Sequence, residues 1–224
     1  MGFEEEVAGA GLDISAIKLN PDDPFLWASG FHMPIYNDNR MFLFHPKHRR
    51  LIAEGFRRIL GDGGIQYDVI AGTSTAGISP ATTLADCAGM PLIYVRDKPK
   101  DHGLRNQIEG IDANSDLQGR RVVLVEDLIS TGGSSVKAVQ AIRSANGLCD
   151  NCLTVFDYEL DVSAQAFGGL NPPCQVNALL RYSILLKVAR DRGYINEIQA
   201  RGLEEWRADP FGWGEKHGFP KVER

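Results

Sequence analysis

Residues 122–134 read VVLVEDLISTGGS, and this stretch indicates both a fold class and a chemistry. Residues 122–125 are four aliphatic residues, a run typical of a strand buried on both faces of a parallel sheet. Glu126 and Asp127 follow, and the hydroxyl- and glycine-rich turn behind them begins a helix. The glycines allow a phosphate close to the backbone, and the first N–H groups of the helix favour a dianion. The two acids can accept hydrogen bonds from the hydroxyls of a sugar, and the turn beside them can donate hydrogen bonds to a phosphate. Together they predict a binding site for a ribose 5-phosphate.

The same residues have a plainer interpretation, a simple helix start with two surface acids. A kinase-type P-loop is excluded because no lysine stands beside Gly132 and Gly133, which argues against nucleoside triphosphate hydrolysis. Two adjacent carboxylates repel each other in a dry core, so they need hydroxyl donors, a basic partner or a divalent cation nearby.

The segments around this stretch alternate between strand-like and helix-like patterns. We predict helices over residues 45–60 and 80–88 and from residue 131 onward, and strands over residues 67–71, 92–95, 122–125 and 153–156. This order predicts an α/β fold with a mainly parallel central sheet flanked by helices, and ligands at the C-terminal ends of the strands. Residues 25–37 suggest short strands that form a small flap, here called the hood. The predicted division is residues 1–45 as N-terminal helix and hood segment, 46–190 as core, and 191–224 as an extension packed on the core or a partner subunit.

Composition limits the class of protein. The 224 residues contain 43% hydrophobic and 24% charged residues, which is ordinary for a soluble globular chain. A net charge of −5 argues against a general attraction to nucleic acid or anionic membranes. The sequence shows neither a membrane-spanning run nor an export signal, so we expect a cytoplasmic protein. Cys149 and Cys152 form a C-x-x-C without a second pair, and we interpret the four cysteines as packing residues.

Two further segments suit phosphate chemistry. Residues 72–77, GTSTAG, follow a predicted strand and offer N–H groups and hydroxyls to a second phosphate group. Residues 96–110 concentrate basic side chains among proline and glycine. A solvated basic turn is the plain interpretation, but cations that arrive over a bound substrate would stabilise a departing pyrophosphate.

These motifs resemble those of a known family. The stretch 122–134 resembles the phosphoribosyl diphosphate (PRPP) motif of the type I phosphoribosyltransferases. Residues 96–103, RDKPKDHG, and residues 27–40 are similar to the mobile loop and N-terminal segment of the orotate phosphoribosyltransferases. The resemblance implies a type I phosphoribosyltransferase-like fold and transfer of the 5-phosphoribosyl group from PRPP to orotate. The products would be orotidine 5′-monophosphate (OMP) and pyrophosphate, in pyrimidine biosynthesis. Some members carry a lysine where this chain has Ala76, so the pyrophosphate would rely more on Mg²⁺ and the mobile loop.

The resemblance also implies the roles of individual residues. The catalytic residues would be Lys100, His102, Asp127 and Glu126. PRPP would be bound by Arg96, Lys98, Lys100, His102, Glu126, Asp127, Leu128, Ile129, Ser130, Thr131, Gly132, Gly133 and Ser134, with Thr73, Ser74, Thr75, Ala76 and Gly77 as the pyrophosphate loop. Orotate would contact Ser130, Tyr36 and Asn37. Mg²⁺ would be bound mainly through PRPP, with Asp127 or Glu126 contributing through water. A homodimer that shares the mobile loop across its interface is the implied assembly.

Three alternatives remain open from the sequence. A phosphoribosyltransferase for another base would keep the PRPP motif and differ in the base-contacting segment. A PRPP-sensing regulator that binds nucleic acid would need a basic face, which the net charge disfavours. An inactive α/β protein would leave three phosphate-suited segments unexplained.

Overall fold

The computed structural model describes residues 2–98, 107–112 and 115–223. Its strands are β1 (Ile17–Leu19), β2 (Phe25–Leu26), β3 (His32–Met33), β4 (Ile35–Asn37), β5 (Val69–Thr73), β6 (Leu92–Val95), β7 (Ile108–Glu109), β8 (Arg121–Ile129), β9 (Leu148–Asp157) and β10 (Gln175–Arg181). Its helices are α1 (Phe3–Asp13), α2 (Pro46–Asp62), α3 (Ile78–Ala88), α4 (Gly133–Ser144), α5 (Asp161–Gly168), α6 (Tyr182–Asp191), α7 (Glu197–Ala208) and α8 (Trp213–Lys216). A 3-10 helix spans Asn39–Phe44.

The central sheet has six strands in the order β10-β9-β8-β5-β6-β7. All neighbouring pairs are parallel except β6 with the short edge strand β7. The predicted α/β class with a mainly parallel sheet is therefore confirmed. Strand β8 lies in the interior of this sheet, which explains why its sequence is a continuous aliphatic run rather than an alternating pattern.

Side chains of β8 alternate between two cores. Val122 and Leu124 pack into a cluster with Val139 and Ile142 of α4. Val123 and Val125 point to the opposite face and pack into a cluster that includes side chains of α2 and α3. Helices thus cover both faces of the sheet, and the C-terminal end of β8 is the part of the strand left to contact a ligand.

The structure corrects several predicted boundaries. The strand predicted over residues 122–125 runs on to Ile129, so Glu126 and Asp127 belong to β8 rather than following it. The strand predicted over residues 67–71 is observed at Val69–Thr73, because Asp68 pairs with Arg121 before the strand begins. Strand β9 begins at Leu148, five residues before its predicted start, because backbone pairing extends through its polar residues.

The strands of the hood form short antiparallel pairs, one within the hood and one with β1, which precedes it in the chain. Strand β2 pairs with β3, and β4 pairs with β1. Met33 and Ile35 are buried in a cluster with residues of α1 and α6. This packing fixes the polar residues that follow, including Asn37.

The C-terminal tail, residues 197–223, packs against the hood. Trp206 and Trp213 are buried in the same cluster as Met33. The Val222 N–H donates to the Gly30 carbonyl at 2.9 Å. Gly30 has φ +84, and a side chain there would collide with the Val222 carbonyl. The predicted divisions at residues 45 and 190 stay a prediction.

The interpretation of the cysteines as packing residues is confirmed for three of the four and is wrong for Cys87, which is exposed on α3. Cys149, Cys152 and Cys174 are buried in the cluster beside α4, and within the described residues no group of three or more His, Cys, Asp or Glu side chains could hold a metal ion. Cys174, isolated in the sequence, lies against Cys149 in the fold. Among the helices described, none combines the length and apolar character needed to span a membrane.

Candidate active site

The two acids of β8 stand at a gap in the sheet. Pairing of β5 with β8 ends at Gly72 and Val125, whereas pairing of β8 with β9 continues to Ile129 and Asp157. Glu126 and Asp127 are therefore anchored on one side by β9 and extend past the last β5–β8 pair on the other. A ligand at the end of β5 meets these acids directly.

Glu126 is held by three donors. Its side chain is 6% exposed. Its Oε1 accepts from Thr73 Oγ1 at 2.6 Å and from the Asp127 N–H at 3.0 Å, and its Oε2 accepts from Ser135 Oγ at 2.9 Å. These bonds join the ends of β5 and β8 to the first turn of α4. Because a buried carboxylate is costly unless hydrogen bonds compensate it, this network fixes the relative positions of the two loops that follow β5 and β8.

Asp127 lies closer to the ligand side. Burial raises the pKa of Asp127 to about 7, and the hydrogen bond and negative charge of Glu126 act in the same direction. Its carbonyl accepts a hydrogen bond of 2.6 Å from Asn39 Nδ2, which ties the acid to the segment after the hood. A carboxyl group of this kind gains most from a cation or a hydroxyl donor brought in by a ligand.

The glycine-rich turn after β8 has the geometry of a phosphate loop. Gly132 is the N-cap of α4 with φ 78, a left-handed conformation that favours glycine. A Cβ on Gly133 would meet nothing within 4 Å, so the backbone is open there. The unpaired N–H groups of the first turn and the hydroxyls of Thr131 and Ser134 are available to an anion.

The loop after β5 lies beside it. Gly77 packs tightly, since a Cβ there would lie 2.6 Å from the Val125 carbonyl oxygen and collide with Thr73 Oγ1. A cleft of about 350 Å³ separates this loop from the hood, and Asp38, Arg40, Ser74, Glu126, Asp127 and Ser134 contribute to its lining. The structure thus brings the predicted pyrophosphate loop and the predicted PRPP acids to one cleft, here called the acidic cleft.

The structure describes residues 96–98 and 107–110 of the predicted basic loop. Arg96 follows β6, and its Nη1 lies 3.5 Å from Glu109 Oε1. Lys98 is exposed. Lys100 and His102 lie outside the described residues, so their predicted roles stay predictions. A small cavity of about 20 Å³, here called the basic pocket, is lined by Ser74, Arg96, Asp97, Ser134 and Lys137, among others.

Of the three residues predicted to contact orotate, two lie at the site and one points away from it. Ser130 directly follows β8, and Asn37 lines the acidic cleft. The side-chain amide oxygen and nitrogen of Asn37 are buried and have no hydrogen-bond partner among the residues that the structure describes. Tyr36 points to the other face of β4, where its ring is 41% exposed and lies 5.9 Å from the ring of Phe25.

The sequence-based prediction missed several polar residues at the site, including Asp38 in the acidic cleft and Asp97 in the basic pocket. Asn39 contacts Asp127, Arg40 lines the acidic cleft, and Lys137 lines the basic pocket. The signal for Asn39 and Arg40 was the polar run NDNR after an apolar strand. Lys137 could have been found from helical spacing, because it lies three residues after Ser134 and shares its face of α4.

Comparison with known proteins agrees with this geometry. Residues 39–161 match the family model described as "Phosphoribosyl transferase domain". The chain is 46% identical over 213 residues to an orotate phosphoribosyltransferase of Cutibacterium acnes, covering 95% of each chain. A UMP synthase structure from Leishmania donovani matches with a TM-score of 0.74 and 28% identity, over 92% of this chain but 42% of that one. An Aeropyrum pernix orotate phosphoribosyltransferase structure has the same fold, with a TM-score of 0.69 and 23% identity over 85% of this chain and 99% of that one.

The fold, the two phosphate-suited loops and the domain match define a phosphoribosyltransferase of type I architecture. Similarity along nearly the whole chain narrows the class further. The chain belongs to the orotate phosphoribosyltransferase family.

Proposed function

We propose that this chain transfers the 5-phosphoribosyl group from PRPP to orotate, with Mg²⁺, to give OMP and pyrophosphate. The observation that carries the proposal is the position of Asp127 between two phosphate-suited loops, at the open end of β8. We place the reaction in the cytoplasm and in pyrimidine biosynthesis. The acids of the acidic cleft bind the ribose of the substrate, and the cations of the basic loop bind its diphosphate.

The 5′-phosphate binds at the turn formed by residues 130–134. The open backbone at Gly133 and the N–H groups of the first turn of α4 donate to its oxygens. The ribose hydroxyls then reach the acids of β8. Asp127 is the better placed acceptor, because the carboxylate oxygens of Glu126 already accept from Thr73 and Ser135. Glu126 thus orients the ribose indirectly, because its hydrogen bonds fix Asp127 and the two loops that follow β5 and β8.

The diphosphate lies along residues 73–77 and under the basic loop. Arg96 and Lys98, with Lys100 and His102, bring positive charge to the leaving group as its bond to the anomeric carbon breaks. The ring nitrogen of orotate attacks the same carbon, and the transition state has oxocarbenium character. Negative charge from Asp127 near the ribose favours the positive charge that develops there.

Orotate lies between the hood and the end of β8. Asn37 supports this placement, because its carboxamide has one acceptor oxygen and two donor hydrogens that find no partner within the described part of the chain. Its amide matches the N–H and carbonyl edge of a pyrimidine ring. Ser130 and Tyr36 are the other proposed contacts, and Tyr36 would have to turn from its packing on Phe25 to reach the ring.

The residues present fit a Mg²⁺ ion that is bound mainly by the substrate. Mg²⁺ usually keeps several waters and binds proteins through one or two carboxylates together with substrate phosphates. Asp127 offers one such carboxylate, and Glu126 lies beside it. Either acid would contact the ion directly or through a water molecule. When bound, the ion would neutralise charge on the diphosphate and favour ionised Asp127, whose pKa of about 7 shows how costly its charge is without a cation.

A homodimer is part of the proposal. Leu43 and Phe44, at the end of the 3-10 helix, are 41% and 87% exposed, which is unusual for large apolar side chains on an isolated surface. A second copy that covers them would remove these side chains from water, and the resemblance to the family implies that the basic loop of one copy acts at the cleft of the other.

The decisive test is orotate consumption, followed by its ultraviolet absorbance, with and without PRPP and Mg²⁺. We expect loss of orotate only when all are present. Pyrophosphate release with a purine base but not with orotate would instead support a phosphoribosyltransferase for another base. Salt-dependent binding of RNA without turnover would favour the regulator.

A further inference from the structure

The substrate site has two parts of opposite charge. The acidic cleft carries the carboxylates of Asp38, Glu126 and Asp127. The basic pocket carries Arg96 and Lys137, with Asp97 as its acid. Ser74 and Ser134 line both and mark the boundary between them. A substrate with a neutral sugar and a highly charged diphosphate matches this division.

Lys137 differs from the two arginines that line the acidic cleft and the basic pocket. Arg40 pairs with Asp38 at 2.6 Å, and Arg96 lies 3.5 Å from Glu109. Lys137 is exposed and makes no ion pair with any carboxylate in the described ranges, Asp97 included. Its charge is therefore available to an anionic ligand without breaking an existing pair.

Helix α4 determines where this charge lies. Lys137 follows Ser134 by three residues, so both side chains lie on one face of the helix, one turn apart. The turn before α4 receives the 5′-phosphate, and Lys137 stands on the side of that turn where Ser74 and Arg96 lie. Its flexible stem allows the ammonium group to follow a ligand oxygen as a point charge.

We infer that Lys137 is a diphosphate-binding residue, which contacts the pyrophosphate moiety of PRPP and the pyrophosphate product. The inference rests on the proposed function and adds a fixed cation, on a helix, to those of the basic loop. A lysine on α4 contributes charge to the leaving group independently of the basic loop, so it increases affinity for PRPP and pyrophosphate. It makes no contact with OMP, which has the 5′-phosphate but lacks a diphosphate.

The test is calorimetric binding of three probes to Lys137→Gln, namely PRPP, pyrophosphate and OMP, each with Mg²⁺. We expect about 10-fold weaker binding of PRPP and of pyrophosphate, the effect of losing one charged hydrogen bond, and unchanged binding of OMP. Lys137→Arg should restore most of the affinity. Lys47→Gln, which neutralises an exposed lysine at the start of α2, is the matched control and should bind all three probes like the unmodified chain.

The outcomes separate the two hypotheses. Equal affinity of Lys137→Gln and the unmodified chain for PRPP and pyrophosphate would overturn the inference. So would an equal loss for OMP, which would assign Lys137 to the 5′-phosphate. Failure of the unmodified chain to bind OMP would contradict the proposed function itself, whatever Lys137 does.

Discussion

The two sides of the substrate site are built in opposite ways. On the acidic side, Glu126 is 6% exposed and accepts from three donors that join β5, β8 and α4. On the basic side, Lys98 and Lys137 are exposed, and Arg96 lies 3.5 Å from Glu109 in the one ion pair that it makes with a described residue. The difference teaches that buried acids must be fixed by the fold, whereas exposed cations remain solvated until a ligand arrives. Changes on the acidic side should therefore alter stability, and changes on the basic side should alter activity alone.

The largest effect is expected for Lys100→Ala in the basic loop. Loss of a cation that stabilises the leaving group should lower kcat by about 10²-fold or more. The melting temperature should stay unchanged, because a segment as rich in charged residues as RDKPKDHG, residues 96–103, is not expected to pack in the core. Steady-state kinetics and thermal denaturation measure both, with Lys47→Ala as the control. An unchanged turnover number would remove Lys100 from the mechanism.

The next effect concerns Asp127→Asn on the acidic side. The pKa of Asp127 is raised from 3.8 to about 7 in the folded chain, so the folded state holds a proton that the unfolded state releases between these values. The free energy of unfolding of the unmodified chain therefore falls as pH rises through this range. At pH 8 the variant should be more stable by about 4 kcal/mol, and near pH 4 the difference should vanish.

Chemical denaturation at several pH values measures this difference, and calorimetry measures the accompanying loss of PRPP affinity in the presence of Mg²⁺. A constant stability difference across the pH range would show that Asp127 does not titrate abnormally. Equal PRPP affinity in both proteins would contradict its contact with the ribose.

A smaller effect is expected for Thr73→Val, which removes the 2.6 Å hydrogen bond to Glu126 while keeping the shape of the side chain. Leaving this buried carboxylate short of a donor should cost about 1–3 kcal/mol of the free energy of unfolding. Thr73→Ser keeps the hydroxyl and serves as the control, with stability near that of the unmodified chain. If both variants unfold at the same denaturant concentration, the network does not stabilise the acidic side.

The smallest effect is that of salt. Exposed cations are screened by added salt, whereas the buried acids are screened much less. Raising the salt concentration from about 0.05 M to 0.5 M should raise KM for PRPP about threefold and leave the melting temperature nearly constant. A KM for PRPP that is insensitive to salt would argue against binding by exposed cations.

The middle of the fold was predictable because buried parallel strands leave continuous aliphatic runs. Residues 92–95 and 122–125 were found in this way, and both proved to be strands of the central sheet. Strand β10 and helices α5 to α7 were missed. Strand β10 lies at an edge of the sheet and carries polar and partly exposed residues, so its sequence QVNALLR has no such run.

The same distinction applies to the site. The phosphate loop was predictable because consecutive residues form it. Asn39 and Lys137 were not predictable, because the fold of another element brings each of them to the site. Asn39 lies in the 3-10 helix after the hood, and Lys137 lies in the first turns of α4. Sequence spacing cannot show that Asn39 lies at the carbonyl of Asp127, 88 residues further along the chain.

The contact between the hood and the tail can be followed by intrinsic tryptophan fluorescence. All three tryptophans of the chain lie there. Trp27 donates to the Ile35 carbonyl at 2.9 Å, and its ring lies 6.5 Å from that of Trp206 and 6.0 Å from that of Tyr158. Intrinsic fluorescence therefore reports the position of the hood without a dye. If a substrate changes the packing of the hood on the tail, a fluorescence titration with that substrate should detect the change, and an unchanged spectrum would show that this contact stays as it is.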